Sequence, residues 1–260
     1  MVLNMYITTK LSNVVSIIKS RSWWLKSPET MNDGLEFKNI SESQQCNAVF
    51  FASFMYDSSE SIAMWSMYAQ PWEDGVFIRI PVEIFINWIK NTKTIYPVFY
   101  PENKKPVFGK SAIPYEKLSI VRVAYTNADT AQCKSEEILV CGKAENKLLK
   151  NTSHLPDLVG YIKDIAWEYE REVRVLATVN KSINCGGLAI ELPDNFIDSM
   201  EIVAGPRFSG DLSKRIKQEV HRQFTFNRSL FSDKLNWIPC DSCPEKSKCN
   251  NCPNAKNICL

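Results

Sequence analysis

The amino-acid sequence predicts an α+β domain, with a mixed, mainly antiparallel sheet and flanking helices, followed by a small C-terminal cysteine-rich metal module. Short apolar runs typical of strands outnumber the strand–helix–strand pairs that a doubly wound sheet needs. Apolar residues at helical spacing lie between several of those runs. Five of the nine cysteines lie between Cys240 and Cys259, where Cys, Lys, Asn and Pro dominate. We therefore expect the domain to span residues 1–236 and the module residues 237–260.

The chain opens with a predicted strand and a predicted helix. A short apolar run at residues 5–7 indicates the strand. The helix is indicated by apolar residues that share one helical face: Leu11, Val14, Val15, Ile17 and Ile18. Extended pieces at residues 23–25 and 35–37 follow, and residues 31–34 form a turn between them because Asn, Asp and Gly tolerate positive φ.

The middle of the chain continues the alternation of strands and helices. Residues 46–55 are short, apolar and aromatic, which predicts a buried strand. The next helix is expected to be capped by Asp57, with Glu60 three residues later in a capping-box position. A strand at residues 75–80 and a helix at residues 82–89 complete this part.

The second half of the domain contains more strands than helices. Apolar runs predict strands at residues 120–125, 170–179, 188–192 and 200–204. The end of one helix is expected at residues 161–167, and a second helix is expected to span residues 211–224. Four prolines between residues 96 and 115 predict an irregular segment there.

Charge and composition exclude several classes of protein. The chain has 31 Lys and Arg residues against 29 Asp and Glu residues, a net charge of +2, and so lacks the positive excess of proteins that coat nucleic acid. Two histidines, His154 and His221, are too few for a three-histidine zinc site, and no HExxH motif occurs. Because no run approaches the roughly 18 apolar residues of a membrane span and the start lacks a signal-peptide pattern, we expect a soluble, cytoplasmic protein with no membrane partner.

The densest polar pattern in the sequence is the segment Trp167–Arg174. If this segment is a strand, alternation places Glu170, Glu172 and Arg174 on one face. A neighbouring guanidinium can hold one carboxylate ionised while the two carboxylates shift each other's pKa, which suits a catalytic pair. The alternative is a solvated strand face with ordinary ion pairs. If the three side chains form a site, Glu172→Gln should abolish activity and leave the melting temperature nearly unchanged.

Several motifs together resemble the bacterial family called domain of unknown function 2971, over most of residues 5–220. The motifs are Asn32–Glu36, Met64–Ala69 before the strand that begins at Gly75, and the set Lys163, Trp167, Glu170, Glu172 and Arg174. Gly34 and Leu35 stand where the family has proline and phenylalanine. The resemblance implies a fold and no settled activity.

The chain also has a more distant resemblance to ADP-ribosyltransferases, which share an opening strand and helix and a late strand with a Glu-x-Glu pair. The resemblance implies that Glu172 binds the ribose 2′-hydroxyl of NAD and stabilises an oxocarbenium-like centre, as in glycoside cleavage. Glu170 would orient or deprotonate the acceptor, and Arg174 would support the pair. The residues expected to line the nucleotide pocket are Tyr6, Trp65, Tyr68 and Trp167; for Trp65 and Tyr68 the alternative is ordinary core packing.

The C-terminal cysteines have the spacing of a metal site. Two pairs with two-residue gaps, Cys240 with Cys243 and Cys249 with Cys252, can supply four thiolates to one ion. Structural zinc is the first expectation, an iron–sulfur cluster is its rival, and unligated thiols are the third possibility. Cys259 is a further possible ligand. Lysines around the site suit a phosphate backbone or a protein partner.

The sequence therefore supports two hypotheses about function. The first is a nucleotide-using transferase of ADP-ribosyltransferase type with NAD as donor and a nucleic acid or protein as acceptor, acting as a toxin or defence effector. The second is a non-enzymatic binding or regulatory protein that contacts nucleic acid or a protein through its cysteine-rich tail. A buried cleft at Glu170 and Glu172 would favour the first, and an exposed, flat strand would favour the second.

Overall fold

The computed structural model describes residues 4–27, 49–56, 60–100, 106–126, 136–142, 160, 162–180, 183 and 185–232. The strands in these residues are β1 (Asn4–Lys10), β2 (Ser22–Lys26), β3 (Val49–Met55), β4 (Gly75–Pro81), β5 (Tyr96–Phe99), β6 (Val107–Phe108), β7 (Lys117–Arg122), β8 (Ala124–Thr126), β9 (Glu136–Gly142), β10 (Ile162–Asp164), β11 (Glu172–Thr178), β12 (Gly187–Glu191), β13 (Glu201–Ala204) and β14 (Thr225–Arg228). The helices are α1 (Leu11–Ser20), α2 (Ile62–Tyr68), α3 (Val82–Asn91), α4 (Asp194–Asp198) and α5 (Leu212–Glu219), and 3-10 helices span Trp72–Asp74 and Ile165–Glu170.

Twelve of these strands form one large, mainly antiparallel mixed sheet, which confirms the α+β part of the predicted fold class; the predicted cysteine-rich module lies outside the described residues. Its order is β14-β13-β4-β1-β3-β2-β12-β5-β6, and β11, β7 and β9 extend it from β3. Within it β13 and β14 run parallel, whereas the other pairs are antiparallel. The short strands β8 and β10 pair in parallel as a separate sheet.

Alternating side chains of the large sheet point into two apolar clusters on its opposite faces. The larger cluster takes residues such as Ile78 and Val173 together with apolar residues of α1, α3, α4 and α5. The smaller cluster takes Tyr6 and Phe77 from the strands and Met64 and Trp65 from α2. Because successive strand residues face opposite sides, α2 covers the face opposite to the other four helices.

Several elements differ from the sequence predictions. Strands β5 and β6 lie in the segment predicted to be irregular, because Ile95 and Val98 are fully buried among the prolines. The predicted strand at 120–125 is two strands, β7 and β8, which belong to different sheets. The predicted helix at 161–167 is a strand followed by a 3-10 helix. None of the helices in the part of the chain that the structure describes could cross a bilayer.

The N-cap of α2 is also corrected. Ser61 caps this helix by accepting a hydrogen bond from the Met64 backbone N–H, at 3.4 Å. Glu60 accepts instead from the indole Nε1 of Trp65, at 3.2 Å, because its side chain turns into the interior. Asp57, the predicted cap, and the predicted turn at residues 31–34 lie outside the described residues.

Candidate functional site

Strand β11 places two charged side chains on the face of the sheet that α2 covers. Val173 and Val175 point into the larger apolar cluster, so Glu172 and Arg174 point to the opposite side. Glu172 lies directly opposite Met55 of β3, a member of the smaller cluster. These charges therefore lie beneath a packed layer, in contrast to the alternative reading of a solvated strand face.

Glu172 and Arg174 form a two-pronged ion pair in the interior. Arg174 Nε donates to Glu172 Oε1 at 2.7 Å and Arg174 Nη2 donates to Glu172 Oε2 at 2.9 Å. The exposed fraction is 2% for Glu172 and 0% for Arg174. The remaining guanidinium nitrogen donates to the Gly160 carbonyl at 2.8 Å, and the group lies 4.6 Å from the Phe51 ring centroid. The pair satisfies the condition under which a buried charge is tolerated, because each charge meets its counterion and further donors or acceptors.

The surroundings of Glu172 keep it ionised. Burial alone would raise the pKa of its carboxyl, but the charge and hydrogen bonds of Arg174, the charge of Lys163 and a hydrogen bond from Ser53 outweigh burial and hold the pKa below its usual value. The Glu172 backbone N–H donates to the Tyr125 hydroxyl at 2.7 Å. Glu172 is thus a fixed negative charge.

Glu170 also lies beside Glu172, but it belongs to a different element from the predicted strand. It is the last residue of the 3-10 helix Ile165–Glu170, and Arg171 adopts a left-handed conformation, φ 44°, before β11 begins. The prediction that Glu170, Glu172 and Arg174 share one strand face is therefore wrong for Glu170. The change of direction at Arg171 still brings its carboxylate, 4% exposed, next to that of Glu172.

Lys163 joins the two carboxylates. Its ammonium donates to Glu170 Oε2 and lies 3.5 Å from Glu172 Oε2. The same nitrogen lies 4.7 Å from the centroid of the Trp167 ring, a cation–π distance. Lys163 is 6% exposed. We refer to Lys163, Glu170, Glu172 and Arg174 as the charge cluster.

Tyr68 of α2 completes the surroundings of Glu170. Its hydroxyl donates to Glu170 Oε1 at 2.5 Å. Burial, and then the hydrogen bond to Glu170, raise the pKa of Tyr68 well above its ordinary value, so the phenol keeps its proton. Helix α2 can lie close to the sheet because Gly205 has no side chain. A Cβ at this position would lie 2.7 Å from the Gly75 carbonyl oxygen and 2.9 Å from the Trp65 ring.

The four predicted pocket aromatics separate into two groups. Tyr68 and Trp167 contact the charge cluster. Tyr6 stacks on Phe77 with ring centroids 5.2 Å apart, and Trp65, 1% exposed, packs in the smaller apolar cluster. In this structure Tyr6 and Trp65 support the layer from which Tyr68 projects.

The predicted metal ligands Cys240, Cys243, Cys249 and Cys252 lie outside the described residues, as does Cys259. Within residues 4–232, where the structure describes them, no three His, Cys, Asp or Glu side chains are arranged to hold a metal ion. The zinc site therefore stays a prediction.

Sequence reasoning assigned no role to Lys163, Tyr125 or Ser53. Lys163 had one signal, its place in the family motif four residues before Trp167, which is the residue its ammonium contacts. Tyr125 and Ser53 come from other strands, and their approach to Glu172 depends on strand pairing that no local pattern reveals.

The site combines two adjacent carboxylates, two cations and a protonated phenol. Glu172 can supply fixed negative charge to a developing cation, and Glu170 can accept a hydrogen bond or a proton from a bound hydroxyl. Among the described residues the cluster has equal numbers of acidic and basic groups, so its electrostatic field acts only over a short distance.

Comparison with known proteins adds one match. Residues 64–175 match the model of a family described as a protein of unknown function, DUF2971. The match includes Tyr68 and all four members of the charge cluster, and it supports the resemblance indicated by the motifs. No curated protein and no solved structure matches the chain.

Proposed function

We propose that this chain is a nucleotide-using transferase of ADP-ribosyltransferase type, with NAD as the donor. The observation that carries the proposal is the pair of buried carboxylates, Glu170 and Glu172, brought together by Lys163 with one of them held ionised by Arg174. A carboxylate pair of this kind suits reactions in which positive charge develops on a sugar carbon.

In the proposed reaction the bond between the ribose C1′ and the nicotinamide nitrogen breaks. The electron pair leaves with nicotinamide, which becomes neutral, and the sugar takes on oxocarbenium-like charge. A nucleophile on the acceptor forms the new bond to C1′ and loses its proton. With water as the acceptor the same steps give NAD hydrolysis.

The contacts of the two carboxylates suggest how they divide this work. Both oxygens of Glu172 are engaged by Arg174, which suits a fixed charge that stabilises the sugar cation and binds the ribose. The partners of Glu170 are the Tyr68 hydroxyl and the Lys163 ammonium, so Glu170 suits proton transfer from the acceptor. Trp167 and Tyr68 would border the donor.

The experiment is incubation of the purified chain with NAD and measurement of nicotinamide release. Glu170→Gln keeps the shape of the side chain and removes its charge, and we expect it to lower the rate on the order of 100-fold or more. Glu83→Gln, an exposed carboxylate in the first turn of α3, is the matched control and should behave as wild type. Circular dichroism on each variant verifies folding.

Two results would overturn the proposal. One is a folded wild-type protein that neither binds NAD nor releases nicotinamide. The other is a Glu170→Gln variant that equals the Glu83→Gln control both in nicotinamide release and in transfer to an acceptor. A variant that still hydrolyses NAD but no longer modifies an acceptor would assign Glu170 to the acceptor and leave the sugar to Glu172.

A further inference from the structure

Lys163 is the least expected member of the charge cluster, because lysine side chains are almost never buried unless they are paired with an opposite charge. It comes from β10, a strand of the small two-stranded sheet, whereas Glu172 and Arg174 come from the large sheet. Its ammonium contacts Glu170 Oε2 and lies 3.5 Å from Glu172 Oε2. One side chain therefore connects two carboxylates that lie on different elements.

We infer that Lys163 is a positioning residue of this site: its ammonium holds Glu170 and Glu172 side by side as two carboxylates, so that both carry negative charge toward one substrate. The effect of this positioning role on activity rests on the proposed function. The effect of Lys163 on the charge of the cluster does not depend on the proposed function.

The charge balance supports this role. The described ionisable groups around Lys163 and its carboxylate partners are Glu170 and Tyr169 from the 3-10 helix, Glu172 and Arg174 from β11, Tyr68 from α2 and Tyr125 from β8. Burial raises the pKa of all three tyrosines, so all three are neutral. Two carboxylates thus face two cations, and without Lys163 they would share Arg174 alone.

The alternative to a positioning role is a purely structural one, in which Lys163 fills space and ties β10 to the sheet. The geometry favours positioning because the ammonium is bound by carboxylates on one side and by the Trp167 ring, at 4.7 Å, on the other. The direction of the nitrogen is thereby fixed. The two roles differ in their dependence on pH.

The test measures the free energy of unfolding against pH for wild type and Lys163→Met. Lys163 lowers the pKa of Glu172. In Lys163→Met the two adjacent carboxylates share one guanidinium, so one carboxyl of the pair should keep its proton at a higher pH in the folded protein than in the unfolded chain. The folded variant then binds a proton that its unfolded state does not, so its stability should fall as pH rises from 5 to 7. Wild type should show no such fall, and Lys163→Arg should follow wild type.

A double variant keeps the test decisive if Lys163→Met does not fold. Lys163→Met with Glu170→Gln leaves one carboxylate facing one guanidinium, so balance is restored. We expect this double variant to be more stable at pH 7 than Lys163→Met alone and to lose the fall between pH 5 and 7. Lys93→Met, at an exposed lysine after α3, is the control for loss of a lysine charge and should follow wild type.

Two results would overturn the inference: a Lys163→Met variant with the pH dependence of wild type, or a double variant no more stable than Lys163→Met. Nicotinamide release by the same variants is a second, separate measurement. If wild type is active, Lys163→Met should lose kcat on the order of 100-fold at pH 7, partly restored by Lys163→Arg. If wild type releases no nicotinamide, the proposed function fails while the stability measurements still decide the role of Lys163.

Discussion

Arg174 binds both carboxylate oxygens of Glu172 within the interior of the protein, two residues further along the same strand. Only a guanidinium has the planar fork that matches a carboxylate in this way, so lysine could not replace it without loss of one contact. The pair also explains how a strand buried along its whole length, apart from half-buried Thr178, can carry two charges. It has energetic consequences that a surface pair would not have.

Glu172→Gln should destabilise the fold substantially. The substitution leaves the Arg174 guanidinium buried without its anion, and removal of one partner of a buried pair costs about 3–5 kcal/mol. Urea unfolding of the variant beside Glu83→Gln, which should change the free energy of unfolding by no more than about 0.5 kcal/mol, measures the effect. This replaces the expectation from sequence that the melting temperature would hardly change, and a value equal to that of the control would contradict it.

The stability of wild type should decrease in acid through Glu172. Its pKa is lower in the folded state than in the unfolded chain, so the stabilisation is present above the unfolded value of about 4.3 and is lost as pH falls through the folded value. The unfolding free energy measured between pH 3 and 7 should show this loss in wild type. Glu172→Gln should show a smaller loss, and equal losses in the two proteins would remove Glu172 as the cause.

Tyr68→Phe should weaken both the fold and the site. It removes the hydrogen bond that the Tyr68 hydroxyl donates to the Glu170 carboxylate, which is worth about 1.5–3 kcal/mol. Tyr96→Phe, on β5, whose strand neighbours are β12 and β6, is the control. Thermal unfolding compares the two. If both phenylalanine variants unfold at the wild-type temperature, the hydroxyl of Tyr68 contributes nothing.

Gly205→Ala should loosen the packing of α2. The new methyl group would lie 2.7 Å from the Gly75 carbonyl oxygen and 2.9 Å from the Trp65 ring, closer than side-chain carbons approach in folded proteins. Overpacking of this kind costs about 1–3 kcal/mol. Indole fluorescence during denaturant unfolding follows the change, and an unaltered midpoint would show that the backbone yields without cost.

The predicted metal module gives a prediction of its own. If Cys240, Cys243, Cys249 and Cys252 bind one structural ion, aerobically purified protein should contain about one zinc per chain. A strong chelator should then change the C-terminal module and spare the α+β domain. Elemental analysis that finds no metal in protein with intact thiols would reject the site, and iron with a brown colour would indicate the cluster instead.

The sequence predicted much of the fold because its strands and helices have strong local patterns. The helix with Leu11, Val14 and Ile18 on one face is α1, and all three residues are buried. The strands at Val49–Met55 and Gly75–Pro81 lie where apolar runs predicted them. Apolar periodicity is decisive in these segments since each buries a whole face.

The candidate site was harder to predict because it depends on one backbone conformation. Alternation along a strand gave the correct neighbours for Glu172 and Arg174 but the wrong element for Glu170, since the left-handed residue Arg171 separates the 3-10 helix from β11. The burial of Lys163 depends on contacts with other elements. Local patterns do not carry that information.

The buried carboxylate of Glu60 has a practical consequence for where the chain can be cut. It accepts hydrogen bonds from the Ser229 hydroxyl and from the Leu230 backbone N–H, at 3.0 Å, in addition to the Trp65 indole. A chain that stops at Arg228 would leave this interior carboxylate with one of its three donors. Shortened versions of the protein made for crystallisation should therefore retain the segment through Ser232, whatever is done with the cysteines beyond it.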